Sequence, residues 1–97
     1  SAPGTGASVS ADNLDIDSKY NKFYIRLSID GDVSGKELKF SYISEDKSEC
    51  MYCPIKDNEM NTYEFDISAV KKQINSFRIS PNMEDCMIRV NKLGFVE

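Results

Sequence analysis

The chain contains no histidine, so the groups able to do chemistry near neutral pH reduce to carboxylates, thiols, tyrosines and a few cations. Two short motifs collect such groups. Asp30-Gly31-Asp32-Val33-Ser34-Gly35 sets oxygen ligands at alternate positions and then a glycine, as the first half of a calcium loop does. Asp30, Asp32 and Ser34 are therefore the candidate metal ligands, and calcium the candidate ion. The second half departs from that pattern: Ser41 stands where a bidentate glutamate belongs, and Glu37 where an apolar residue belongs. The same residues also suit a polar hairpin loop in which Asp and Gly serve turn geometry.

The second motif is Cys50-Met51-Tyr52-Cys53-Pro54, a C-x-x-C. Zinc takes about four ligands, and Cys86 is the one further thiol. A redox dithiol belongs at a helix N-terminus, where the dipole lowers the thiol pKa. This segment instead reads as a strand, which sends residues three apart to opposite faces. Free thiols acting as small hydrophobes are the simpler reading. An odd number of cysteines also fits a reduced cytoplasmic protein better than a secreted disulfide scaffold.

Catalytic constellations are absent from the sequence. Its 16 acidic residues make accidental carboxylate pairs inevitable, and nearly all fall in turns or on outward strand positions. A general acid needs an apolar pocket to raise its pKa, which a domain this small can hardly spare. No nucleophile elbow, P-loop or dinucleotide fingerprint is present. A non-enzymatic, binding or scaffolding role is expected, with no catalytic residues.

The best ligand candidates are aromatic and cationic. Phe23, Ile25, Leu27 and Ile29 fall on one face of a strand, which turns Tyr24 and Arg26 to the other. Tyr20 precedes that strand, and Tyr52 is expected to face the same way from another. Sugars are held by an aromatic platform beside polar groups that reach hydroxyls, and Tyr20, Tyr24, Arg26 and Tyr52 supply both. An outward tyrosine beside an arginine also serves plain cross-strand packing. Arg78 and Arg89 alternate with apolar neighbours; they are expected to pair with Asp66, Glu64 or Glu84 rather than to clamp an anionic sugar or phosphate.

Composition bounds what these residues can serve. Ninety-seven residues make one domain that buries roughly 65% of its unfolded surface, enough for one core. The net charge of −4 and pI of about 4.8 argue against nucleic acid or an anionic membrane as the main partner. No apolar run is long enough to insert into a membrane as a helix, and no signal-peptide core is present. The opening Ser1-Ala2-Pro3-Gly4-Thr5-Gly6-Ala7-Ser8 is small and polar. Residues 1–12 therefore read as a flexible linker or appended tail, and 13–97 as a single domain cut from a larger chain.

Within 13–97 the pattern is period two. Strands are expected at 13–17, 22–29, 37–43, 50–55, 61–67, 76–80 and from Cys86 to the end. The acidic run Glu45–Glu49 reads as an exposed turn, and Pro54 confines its strand to an edge or an end. Ser68 is placed to cap a short helical turn near 68–74, with Val70 and Ile74 on one face. In the last strand the apolar phase slips by one residue at Asn91-Lys92, the mark of a β-bulge. Six to eight short strands between turns make an all-β antiparallel sandwich, of jelly-roll type.

The order Tyr63-Glu64-Phe65-Asp66-Ile67, a short turn, Ile74-Asn75-Ser76-Phe77-Arg78-Ile79-Ser80-Pro81, and Cys86-Met87-Ile88-Arg89-Val90 closes the chain. It resembles the end of small jelly-roll accessory domains attached to bacterial glycosyltransferases and other surface-polysaccharide proteins. There a Leu-Arg-Ile-Asp-Pro segment precedes a final strand; here Ser80 takes the Asp position. The resemblance implies a β-sandwich that binds glycan or positions a catalytic domain of its parent chain, with no catalytic residues of its own. The alternatives are a protein-interaction or structural sandwich, and an extracellular carbohydrate-binding module with structural calcium. The first two suit a cytoplasmic protein, and the Lys-, Asn- and Ser-rich usage suits a bacterial one.

Overall fold

Alternation becomes burial wherever a strand meets the core. In the computed structural model, which describes residues 8–70, 72–83 and 85–97, Phe23, Ile25, Leu27 and Ile29 are almost wholly buried, while Tyr24, Arg26 and Ser28 between them stay half-exposed. The described residues form seven strands and no helix: β1 (Val9–Ala11), β2 (Lys22–Asp30), β3 (Glu37–Ser44), β4 (Lys47–Pro54), β5 (Asn61–Asp66), β6 (Ile74–Pro81) and β7 (Met87–Val96). All pairings are antiparallel. One sheet has the order β1-β6-β3-β4 and the other β5-β2-β7.

The two sheets face each other through aromatic rings. The chain's five phenylalanines, Phe23, Phe65 and Phe95 from one sheet and Phe40 and Phe77 from the other, form one cluster. Phe23 sits at its centre, stacked on Phe40 with ring centroids 4.7 Å apart. Around it Leu38, Ile79, Ile74, Tyr63 and Ile67 complete the core. The Tyr63 hydroxyl lies at the core margin, where it accepts the Lys56 amide at 3.2 Å.

Only β3 and β4 are joined as a hairpin within one sheet; every other connection crosses between sheets. The pairs β3·β4, β2·β5 and β1·β6 nest inside one another, and β7 lies on the free side of β2. The β2·β7 register slips between Arg26 and Leu27: Arg26 is opposite Lys92 and Leu27 opposite Val90. Asn91 is the extra residue, so the bulge stands where the apolar phase of the sequence slips.

Four sequence expectations change. Val9–Ala11, read as part of the 1–12 tail, pair with Phe77–Ile79 as β1; residues 1–7 lie outside the described residues. The strand expected at 13–17 shrinks to a bridge between Ile16 and Ile74, because Asn13 turns the chain with a φ of 57°. The turn expected over Glu45–Glu49 contracts to Glu45-Asp46, and Lys47–Glu49 pair with Tyr42–Ser44. Among the described residues no helix forms near 68–74. Instead the Ser68 amide and hydroxyl both donate to Asp66 Oδ1, at 2.9 and 2.6 Å, and the Val70 amide donates to the Ile67 carbonyl. Ile74, which shares helical spacing with Val70, opens β6.

Candidate functional site

The residues singled out for ligand binding are not brought together. Tyr24 and Arg26 project from the outer face of the β5-β2-β7 sheet. Tyr52 lies on the outer face of the other sheet, since it is opposite Lys39, whose neighbours Leu38 and Phe40 point inward. The expectation that Tyr52 faces the same way as Tyr24 is thus corrected: the two stand on opposite sides of the sandwich. Tyr20 packs at the end of the core against Phe95, with centroids 6.1 Å apart and the Lys19 ammonium 5.3 Å from its own ring.

Around Tyr24 and Arg26 the structure assembles a different set. Cross-strand rows on this face read Glu64-Tyr24-Gly94, then Thr62-Arg26-Lys92, then Ser28-Arg89. Positions 89 and 92 are three apart and in an unbroken strand would point to opposite faces. The Asn91 bulge restores the phase, so Arg89 and Lys92 both point outward while Val90 and Leu93 point in. Tyr24 leans over Gly94: a Cβ there would meet Tyr24 Cε1 and Oη at 3.2 Å. Gly94 makes room for an aromatic ring on the sheet surface, as glycines facing aromatics across a strand pair do.

The charges of this face are segregated. At the Tyr24 end Lys22 bridges Glu64 at 3.4 Å, and the Ser68 hydrogen bonds, with Lys22 adding to them, hold the Asp66 carboxyl below the usual range. Beyond Tyr24, the side chains of Arg26, Lys92 and Arg89 make no ion pair or hydrogen bond among the described residues. Arg26 and Lys92 are direct cross-strand partners, so their Cβ atoms are about 5 Å apart and Arg89 is a diagonal neighbour at about 7–8 Å. Like charges placed directly opposite destabilise a sheet. The pairings expected for Arg89 and Arg78 with Asp66 or Glu64 do not form, because Arg78 lies on the outer face of the other sheet, opposite Ser41, and Arg89 is opposite Ser28, two rows along β2 from the Glu64–Tyr24 row; Glu84 lies outside the described residues.

Beside Arg89 the face ends in a cleft of about 380 Å³ lined by Ser28, Asp30, Asn58, Met87 and Arg89. Asn58 shapes it by donating to the Ile29 and Gly31 carbonyls at 2.8 and 2.7 Å. Comparisons with models of protein families, with curated proteins and with solved structures find no match to this chain.

The remaining motifs take structural positions. In the 30–35 loop the Asp32 carboxylate accepts the Ser34 amide at 3.2 Å, and Gly31 and Gly35 both adopt positive φ. Asp30 faces Met87 across the strand pair. Among the described residues no three His, Cys, Asp or Glu side chains converge as a metal site. Cys50 and Cys53 lie on opposite faces of β4, Cys50 outward opposite Ser41 and Cys53 inward opposite Leu38. All three thiols are free, with Cys86 buried. Burial pushes the Cys53 thiol pKa up, Lys56 opposing and Glu37 adding.

Proposed function

We propose that this chain is a non-catalytic, carbohydrate-associated accessory module whose ligand lies across the outer face of the β5-β2-β7 sheet. The carrying observation is Tyr24 leaning over Gly94 beside Arg26 on the central strand, whose side chain has no ion pair or hydrogen bond among the described residues. An aromatic surface next to free donors is what sugar recognition requires: the ring meets apolar C–H patches and the guanidinium reaches hydroxyls. The adjoining cleft adds Ser28, Asp30 and Asn58 as further polar partners.

The nested pairing of β3·β4 within β2·β5 within β1·β6 supports a reduced jelly roll, since rolling one long antiparallel hairpin over itself pairs strands in that order. In this reading the module belongs to a bacterial chain that builds or handles surface polysaccharide in the cytoplasm. It binds glycan or positions the catalytic domain of that chain.

A second reading, a protein-interaction sandwich, draws on Ile43 and Tyr52, which stand 41% and 47% exposed on the opposite sheet. Substitution separates the two. On a panel of bacterial surface oligosaccharides, Tyr24→Ala is expected to weaken binding about tenfold, ~1.4 kcal/mol, while Tyr52→Ala leaves it unchanged. Loss with Tyr52→Ala and none with Tyr24→Ala contradicts the proposed face.

A further inference from the structure

On the basis of that reading, we infer that the ligand is an acidic polysaccharide, with carboxylates of uronic-acid sugars meeting Arg26, Lys92 and Arg89. The whole chain carries a net charge of −4, yet these three cations share one patch of a sheet with no ion pair or hydrogen bond from their side chains among the described residues. Two of them are direct cross-strand neighbours, an arrangement that costs stability and that an anion seated between them would relieve. They reach one face through an irregularity, the Asn91 bulge; a regular β7 would send either Arg89 or Lys92 into the core. The nearest carboxylates do not neutralise them: Glu64 is diagonal to Arg26 and taken by Lys22, and Asp30 is diagonal to Arg89 without an ion pair.

The class of anion follows from the spacing and the groups. Two arginines present planar forks that match a carboxylate bidentately. The three cations occupy two successive cross-strand rows along β2, Arg26 with Lys92 in one and Arg89 in the next. Spread cations suit carboxylates repeated along a polymer better than one compact phosphate. Tyr24 at one end and the 380 Å³ cleft at the other continue the track along β2, giving sugar rings places to rest on either side of the charges.

The test is an isothermal and amide-shift titration of the 97-residue chain with oligogalacturonate, its neutral methyl ester, and inorganic phosphate. Oligogalacturonate is expected to bind with shifts at Arg26, Ser28, Arg89 and Lys92, and at least about tenfold more tightly than the methyl ester. Arg26→Ala and Arg89→Ala are each expected to cost about tenfold, the Lys92→Glu charge reversal more, and Arg78→Ala on the other sheet nothing. Unchanged strand shifts in the variants confirm that the fold survives. Equal affinity for the methyl ester at this face overturns the acidic-ligand inference and leaves the glycan reading standing. Displacement of the oligomer by equimolar phosphate overturns it as well, because the patch is then a simple anion site. Binding of neither oligosaccharide at this face overturns the acidic-ligand inference, while the glycan reading stands or falls with the neutral oligosaccharides of the panel above.

Discussion

At the scale of single residues, Tyr24 and Gly94 form one unit: the ring occupies space that only glycine leaves free. Gly94 does not have positive φ, so alanine fits the backbone and its methyl group acts on the ring alone. Gly94→Ala is expected to displace Tyr24, to shift its ring resonances, and to weaken glycan binding while the melting temperature moves little. Asp66 gives a pH signature. Its folded pKa is depressed by the Ser68 hydrogen bonds, so its contribution is present above the unfolded aspartate pKa and is lost as the pH falls through the depressed folded value. The Ser68 amide shift is expected to titrate in acid with a midpoint below that of a free aspartate, and Asp66→Asn to abolish that titration. The thiols separate by exposure: alkylation is expected to reach Cys50 first, Cys53 more slowly and Cys86 last, as peptide mass mapping checks. Tyr24 and Arg26 were legible as an outward pair because period two fixes the face within a strand. Tyr52 was not, because period two says nothing about which sheet a strand joins.

The elements carry the strain and the register. The β3–β4 hairpin turns on Glu45 and Asp46, with φ of 49° and 65°, the left-handed pair of a type I′ turn. Asn-Gly adopts that conformation at less cost than Glu-Asp. Glu45→Asn with Asp46→Gly is expected to stabilise the fold by about 1 kcal/mol in urea unfolding. The exposed Lys72–Glu45 pair lost in the exchange, 3.7 Å long, belongs to the surface pairs worth ~0–1 kcal/mol and offsets part of that gain. The charges of Lys47–Glu49 hid the start of β4 because an edge strand is solvated on both sides of its pattern, and residues 47–50 are exposed. Strand β1 was hidden by brevity: three residues in a small-residue segment show no period. The bulge in β7 was legible as a phase slip. Its consequence, Arg89 and Lys92 sharing a face, needed the register with β2.

At the scale of the whole molecule, two sheets divide the labour. Five phenylalanines from both sheets weld the interior around Phe23. The all-β sandwich was legible because each core residue alternates with a polar one along its strand. The strand order was not, since it depends on contacts far apart in sequence. The outer faces then differ: one sheet shows Lys39, Arg78, Tyr52 and a run of serines, and the other shows Tyr24 with three clustered cations and a cleft. That asymmetry is the reason the proposed ligand face lies on one side of the sandwich. The most direct measurement is a map of amide shifts on the labelled chain during titration with neutral and acidic surface oligosaccharides, with and without calcium. Shifts confined to β2, β7 and the Asn58 cleft are the predicted result. Shifts confined to β3 and β4 around Tyr52, or none with any sugar, contradict it.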